Sequence, residues 1–227
     1  GICARNMPEW TEADLGILAA RGVSVPLYPT STPDQLRYIV RDADIGILFV
    51  GEQAQFDLAL DLLRAGDLRR IVAFDPAVDL RGCAEATHFE TFLATGRDQA
   101  HDGELRRREA GYRMDDLLTL IYTSGTTGEP KGVMLDFANL AACFAMHDRR
   151  VTVGESDVSL AMLPLCHVFE RAWTYYVLYR GAENVYISDP QQVMEALSEV
   201  RPTLMCSVPR LYEKAYAMVQ AKIEAAP

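Results

Sequence analysis

Tyr122 to Gly132 reads YTSGTTGEPKG, and the fold and function of the chain turn on these residues. A stretch so rich in glycine and hydroxyls cannot bury apolar surface, so its use lies in backbone shape and exposed donors. Gly125, Gly128 and Gly132 permit positive φ and close approach of a ligand to the backbone. Successive N–H groups can then curl around an anion, with the hydroxyls of Thr123, Ser124, Thr126 and Thr127 as further donors. Lys131 supplies a point positive charge suited to phosphate. The pattern predicts a loop that cradles a polyphosphate and stays mobile until one binds. It is not the Walker-type loop, which needs G-x-x-x-x-G-K-[ST] running into a helix. Here Pro130 precedes the lysine, Gly132 follows it, and the apolar runs Leu117–Ile121 and Val133–Leu135 read as strands on either side. The loop therefore joins two strands, without a helix dipole behind it. The plain alternative is a glycine-rich hairpin tip, but such tips rarely combine four hydroxyls with a lysine.

Outward from the loop, helix and strand patterns alternate. An opening strand leads to a helix from Trp10 to Arg21-Gly22, with Thr11 as its N-cap, and Val23–Leu27 is a short strand. Thr32-Pro33-Asp34-Gln35 is a helix-start signature. Leu36, Ile39, Val40 and Ala43 then fall on one apolar face. Ile45–Val50 is apolar without alternation, the mark of a parallel strand covered on both faces. A helix around Phe56–Leu63 and a strand at Ile71–Phe74 follow. Residues 79–116 are rich in Arg, Asp, Glu, Gly and Ala and read as a surface excursion with one short helix near Phe89–Ala94, then a linker. The charge run Glu104–Glu109 is a solvated face.

Beyond the loop, Leu140, Cys143, Phe144 and His147 share a helical face. Val158–Leu163, Val185–Ile187 and Thr203–Val208 are strands, and Val168–Tyr179, Pro190–Val200 and the segment from Pro209 are helices. The layout predicts an α/β fold, three-layer α/β/α with mostly parallel sheets. Three parts are expected: 1–78, the polar excursion 79–116, and 117–227 with the phosphate loop. The series Gly22, Val23–Leu27, Thr32-Pro33, Ile45–Val50 echoes Gly181, Val185–Ile187, Asp189-Pro190, Thr203–Val208. Either two similar βαβ units or ordinary βαβ grammar explains the echo.

The chain has 227 residues, room for a sizeable core, and its net charge of −10 argues against nucleic-acid binding. No apolar run approaches a membrane span. Five scattered cysteines without a C-x-x-C pair predict reduced thiols and a cytoplasmic protein, with peripheral membrane contact left open. The opening Gly1-Ile2-Cys3 has no initiator methionine and no signal pattern, which suggests a piece of a longer chain.

A second constellation, LPLCHVFERAW from Leu163 to Trp173, follows a strand and opens a helix. A histidine at a strand's carboxyl end sits where open α/β sheets place ligands. Phe169 could wall an apolar pocket, and Glu170 favours the helix N-terminus electrostatically. Taken alone, the residues read rather as a structural histidine, a core Phe169 and a surface Glu170–Arg171 pair.

Together these stretches carry a resemblance. YTSGTTGEPKG is similar to the signature loop of the AMP-forming acyl- and aryl-CoA synthetases and their adenylating relatives. LPLCHVFERAW, with its Glu170-Arg171 pair, resembles the long-chain fatty acyl-CoA synthetase branch. RNMPEW, VPLYPTSTPDQLRYI and SVPRLYEK agree, so the likeness spans nearly the whole chain and is weakest over 79–116. It implies part of that family's large N-terminal domain. It implies that Thr123, Ser124, Gly125, Thr126, Thr127, Gly128 and Lys131 bind the phosphates of ATP, that Thr123 helps hold Mg²⁺, and that His167 and Phe169 border the carboxylate end of a fatty-acid pocket. The implied co-substrate is coenzyme A. The family's later motifs (adenine contacts, ribose-binding aspartate, hinge and C-terminal lysine) are absent from these 227 residues. No catalytic residue is therefore assigned here. The resemblance implies that such residues lie beyond Pro227, and the piece alone is expected to be inactive. An enzyme that loads a carrier protein, or a non-catalytic nucleotide-binding module, remains as an alternative.

Overall fold

The computed structural model describes residues 1–97, 99–123 and 129–224. Pro227, the position beyond which the catalytic groups are expected, lies outside the described residues. The first unit contains β1 (Ile2–Cys3), α1 (Pro8–Ala19), β2 (Pro26–Leu27), α2 (Pro33–Asp42), β3 (Ile47–Val50), α3 (Gln53–Arg64), β4 (Arg70–Ala73) and β5 (Ala86–His88). Its sheet has the order β2-β1-β3-β4-β5, with every neighbouring pair parallel. Side chains alternate between its faces, as the pleat requires. Cys3, Leu48, Val50, Ile71 and Ala73 pack against Leu36, Ile39 and Val40 of α2 and Phe56, Ala59 and Leu60 of α3. Ile2, Phe49, Val72 and Phe74 face the other way, onto Trp10 and Ala13 of α1 and Phe89 of α4 (Phe89–Ala94). Both faces are covered, giving the three expected layers.

Local chemistry sets most helix starts. At α2 the Thr32 N–H donates to Gln35 Oε1 at 3.0 Å and the Gln35 N–H to Thr32 Oγ1 at 3.3 Å, a reciprocal capping box. Helix α1 begins earlier than the sequence suggested. Met7 is its N-cap, Pro8 fills the first position, and Thr11 lies buried within the helix instead of capping it. Proline is preorganised for that first position and has no N–H to leave unpaired. The start at Pro8 also turns Trp10, 1 % exposed, onto the sheet.

The polar excursion holds more structure than expected. Residues 86–88 extend the sheet as β5, and Phe89 anchors α4 in the core. A second helix, α5 (Asp102–Ala110), carries the charge run; none of its residues is buried, so the run is solvated as expected.

The hairpin β6 (Leu117–Thr123) and β7 (Lys131–Asp136) is antiparallel, the exception to the parallel pattern, and Thr119 makes a parallel bridge to Ser24. After α6 (Phe137–Asp148) comes the second unit: β8 (Val158–Ala161), α7 (Val168–Tyr179), β9 (Glu183–Tyr186), a 3₁₀ turn (Pro190–Gln192), α8 (Val193–Val200) and α9 (Pro209–Glu224). The expected strand at 203–208 is reduced to a bridge from Leu204 to Ser159. The Thr203 N–H donates to the Val158 carbonyl at 2.9 Å, while Thr203 Oγ1 accepts the Val158 N–H at 3.1 Å and donates to Asp157 at 2.7 Å, so a side chain supplements the short backbone pairing there. The sequence echo corresponds to real topology. In the first unit β1 lies between β2 and β3; in the second, β8 lies between β9 and Leu204.

The two threonines make a test of this reading. Thr32→Ala removes a cap and should lower unfolding free energy by about 1 kcal/mol. Thr11 Oγ1 is buried without a partner among the described residues, so the isosteric Thr11→Val should be neutral or stabilising in the same urea titration.

Candidate nucleotide and acyl site

The hairpin register pairs Tyr122 with Gly132 and Thr123 with Lys131, both members of the latter pair exposed. The strands thus deliver a hydroxyl and an ammonium to the two ends of the same loop. Ser124, Gly125, Thr126, Thr127 and Gly128, and with them the expected mobility, lie outside the described residues. Gly132 serves differently from the expectation. It is not among the glycines with positive φ, and a Cβ there would meet the Tyr122 ring at 3.1 Å. Its missing side chain makes room for that ring. The Tyr122 hydroxyl in turn donates to Asp42 Oδ2 at 2.5 Å and ties the loop end of the hairpin to α2. Burial, then the Asp42 carboxylate, push the phenol well above its usual range.

Toward its other end, β6 is held by a buried ion pair. Arg171 Nε and Nη2 donate to Asp14 Oδ2 and Oδ1 at 2.8 and 2.6 Å, and Nη1 donates to Thr119 Oγ1 at 2.7 Å. Thr119 Oγ1 donates to the Ser24 carbonyl at 2.6 Å, and Ser24 Oγ to Asp14 Oδ1 at 2.5 Å. The Tyr175 hydroxyl also donates to Asp14. The guanidinium lies 5.6 Å from the Trp10 ring centroid and 5.5 Å from that of Tyr175. Burial opposes the Arg171 charge, yet Asp14 and Tyr175 outweigh it and hold the group ionised. Burial drives the Tyr175 phenol well above its ordinary value.

The Glu170–Arg171 pair is therefore not a surface pair, and Phe169 is not core. Glu170 is 0 % exposed and Arg171 2 %, whereas Phe169 is 47 % exposed. Glu170 Oε2 accepts the Leu163 N–H at 2.9 Å, and Oε1 has no partner among the described residues. Burial pushes its carboxyl up to about 8, against the lowering effect of the backbone N–H groups it accepts, so the buried side chain disfavours the anion expected at the helix N-terminus. His167 caps α7, its Nδ1 accepting the Phe169 N–H at 3.2 Å, which puts the proton of the neutral ring on Nε2. His167 stands past the carboxyl end of β8.

Among the described residues no hydrogen bond joins Thr123 or Lys131 to His167 or Phe169. None of these four residues lines the cleft of about 200 Å³ that opens between the hairpin, α6 and α7. Ile121 and Leu135 of the hairpin, Cys143 of α6, and Val168 and Tyr175 of α7 line it. The strand that ends in Thr123 and the helix that opens at His167 thus share one apolar wall. The Asp14–Arg171 network was not foreseen, because Asp14 lies within an ordinary helix-start pattern and its partner is 157 residues away.

The model of the AMP-binding enzyme family matches residues 1–226. This chain belongs to that family. It is 33 % identical over 231 residues to the peroxisomal long chain acyl-CoA synthetase 7 of Arabidopsis thaliana, covering 99 % of this chain and 32 % of the relative. It is 33 % identical over 213 residues to the long-chain-fatty-acid–CoA ligase FadD15 of Mycobacterium bovis, covering 92 % of this chain and 34 % of that protein. The chain thus spans about a third of the length of these relatives. In fold it is similar to the A-PCP didomain of carboxylic acid reductase from Segniliparus rugosus in complex with AMP. There the TM-score is 0.73 at 24 % identity, covering 99 % of this chain and 34 % of the other. No helix among the described residues of this AMP-binding family chain is long and apolar enough to cross a membrane.

Asp14→Asn should destabilise the protein by about 3–5 kcal/mol, since it leaves Arg171 charged and unpaired in the core. Asp14→Leu combined with Arg171→Met should recover most of that loss in the same chemical denaturation. Glu170 gives a pH test. Its folded value lies above the unfolded carboxylate range, so its contribution is full below about pH 4.3 and is lost as pH rises toward 8. Glu170→Gln should flatten this fall in stability between pH 5 and 8, as read from unfolding midpoints across pH.

Proposed function

We propose that the protein carrying these residues is a long-chain fatty acid–CoA ligase that works through an acyl-adenylate. A carboxylate oxygen of the fatty acid attacks the α-phosphorus of ATP, and the bond to pyrophosphate breaks. The thiolate of coenzyme A then attacks the acyl carbonyl, and AMP leaves as the thioester forms. The observation that carries the reading is the hairpin pairing of Thr123 with Lys131 across the YTSGTTGEPKG loop, in a chain of the AMP-binding family.

In this reading Thr123, Lys131 and the loop residues Ser124, Gly125, Thr126, Thr127 and Gly128 hold the β- and γ-phosphates. The loop lies between strands, so its grip is made of backbone N–H groups, hydroxyls and one ammonium. Positioning a flexible polyanion in this way converts binding energy into a fixed line of attack. The Thr123 hydroxyl is an exposed hard oxygen donor at the mouth of the loop, which fits Mg²⁺ held by one or two protein groups plus phosphate oxygens. When bound, that ion would neutralise charge on the leaving group. His167 and Phe169 border the acid's carboxylate end. The apolar wall shared by β6 and α7 suits an acyl chain.

The test is ATP–pyrophosphate exchange with Mg²⁺ and a panel of carboxylic acids from acetate to palmitate. It is followed by thioester formation with coenzyme A or a phosphopantetheine carrier protein as acceptor. The whole natural protein should exchange best with long-chain acids and transfer to coenzyme A. Transfer only to the carrier would favour the carrier-loading alternative, and no exchange with any acid would favour a non-catalytic nucleotide module. The 227-residue chain alone should stay near background, because loss of even one transition-state donor costs about 10²–10³ in rate. Robust turnover by this piece would overturn the expectation that essential groups lie beyond Pro227.

A further inference from the structure

The segment that carries His167 and Phe169 to the site is irregular between Met162 and Cys166, yet it is clasped from two sides. Asn6, three residues past β1, reaches it across the boundary between the two units. Its Nδ2 donates to the Leu163 carbonyl at 2.7 Å and to the Ala161 carbonyl at 3.3 Å. Its Oδ1 accepts the Leu165 N–H at 2.9 Å. Asn6 is buried, 8 % exposed, so these bonds face little competition from water. From the other side Glu170 accepts the Leu163 N–H, and the Leu165 side chain, 1 % exposed, packs into the first unit's core. A single carboxamide therefore satisfies three backbone groups of the segment. Both donors face carbonyls and the acceptor faces an N–H, a polarity that a carboxylate of the same shape cannot reproduce.

We infer that Asn6 is a positioning residue for the carboxylic acid substrate, holding the 161–165 segment of the second unit in register with the first unit so that His167 and Phe169 stand at the acid's carboxylate end. This rests on the function proposed above. Asn6 acts through His167 and Phe169, and among the described residues its side chain bonds only to the 161–165 segment, not to Thr123 or Lys131. Its loss should therefore weaken acid binding and orientation while leaving the ATP side largely intact.

The experiment uses the whole natural protein, with Asn6→Asp and Asn6→Ala compared with Phe56→Leu, a core variant in α3 that lowers stability without touching the segment. In pyrophosphate exchange, Asn6→Asp should raise KM for the acid about tenfold or more, with KM for ATP changed less than about twofold. Phe56→Leu should move neither KM. Equal shifts in both KM values for Asn6→Asp, or a loss only of active fraction like that of Phe56→Leu, would overturn the inference. A readout without turnover accompanies it. The Leu165 amide should exchange its hydrogen at least tenfold faster in Asn6→Ala, while the Val50 amide in β3 keeps its protection. Unchanged protection at Leu165 would overturn the clasp whatever the activity. A wild-type protein without acid-dependent exchange would overturn the proposed function, and Leu165 protection would still decide the clasp.

Discussion

A guanidinium and a carboxylate, both withdrawn from water, hold three parts of this protein to one another. Desolvating such a pair costs several kcal/mol per ion, and Coulomb attraction alone does not reliably offset it. Here the offset comes from completeness. Arg171 meets Asp14 through two parallel bonds and gives a third donor to Thr119, while Ser24 and Tyr175 add donors to Asp14. The members come from α1, the segment before β2, β6 and α7. The hairpin, the first unit and the helix that opens at His167 thus share one electrostatic centre. Disturbing any of them leaves a charge or a polar group unpaired in the core.

A similar division of labour governs the site. The hairpin projects its loop from a two-stranded sheet, which by itself would be marginal. It is fastened at Thr119 by the ion-pair network and near its loop by the Tyr122–Asp42 bond, with the tyrosine ring lying over Gly132. Both fastenings come from residues distant in sequence, Asp42 of α2 and Arg171 of α7. Asn6 and Glu170 do the corresponding work for the segment that leads to His167.

Sequence reading succeeded where the signal is local. The Thr32–Gln35 capping box, the span of α7 and the short helix at Phe89–Ala94 were all legible, because each depends on residues within one or two turns. It missed where a neighbour in space decides. Thr11 has the chemistry of a cap, but Pro8 had already started the helix and Trp10 had turned it onto the sheet. Residues 203–208 have the composition of a strand, but their pairing with β8 stops at the Leu204–Ser159 bridge. Phe169 and Glu170 exchanged their expected environments because α7 presents its Glu170–Arg171 side to the core.

By itself the sequence determined the α/β class, the parallel strands covered on both faces, the position of the glycine- and hydroxyl-rich loop between two strands, and the resemblance that the family match bears out. Each is written in periodicity or in a contiguous run, and each survives without knowledge of any distant contact. The tertiary structure alone decided that Asp14 and Arg171 pair, that Asn6 clasps residues 161–165, and that Glu170 is buried, its carboxyl pushed up by the loss of water. Those facts join residues on the order of 150 positions apart or depend on the removal of water. Neither long-range pairing nor desolvation leaves a pattern along the chain.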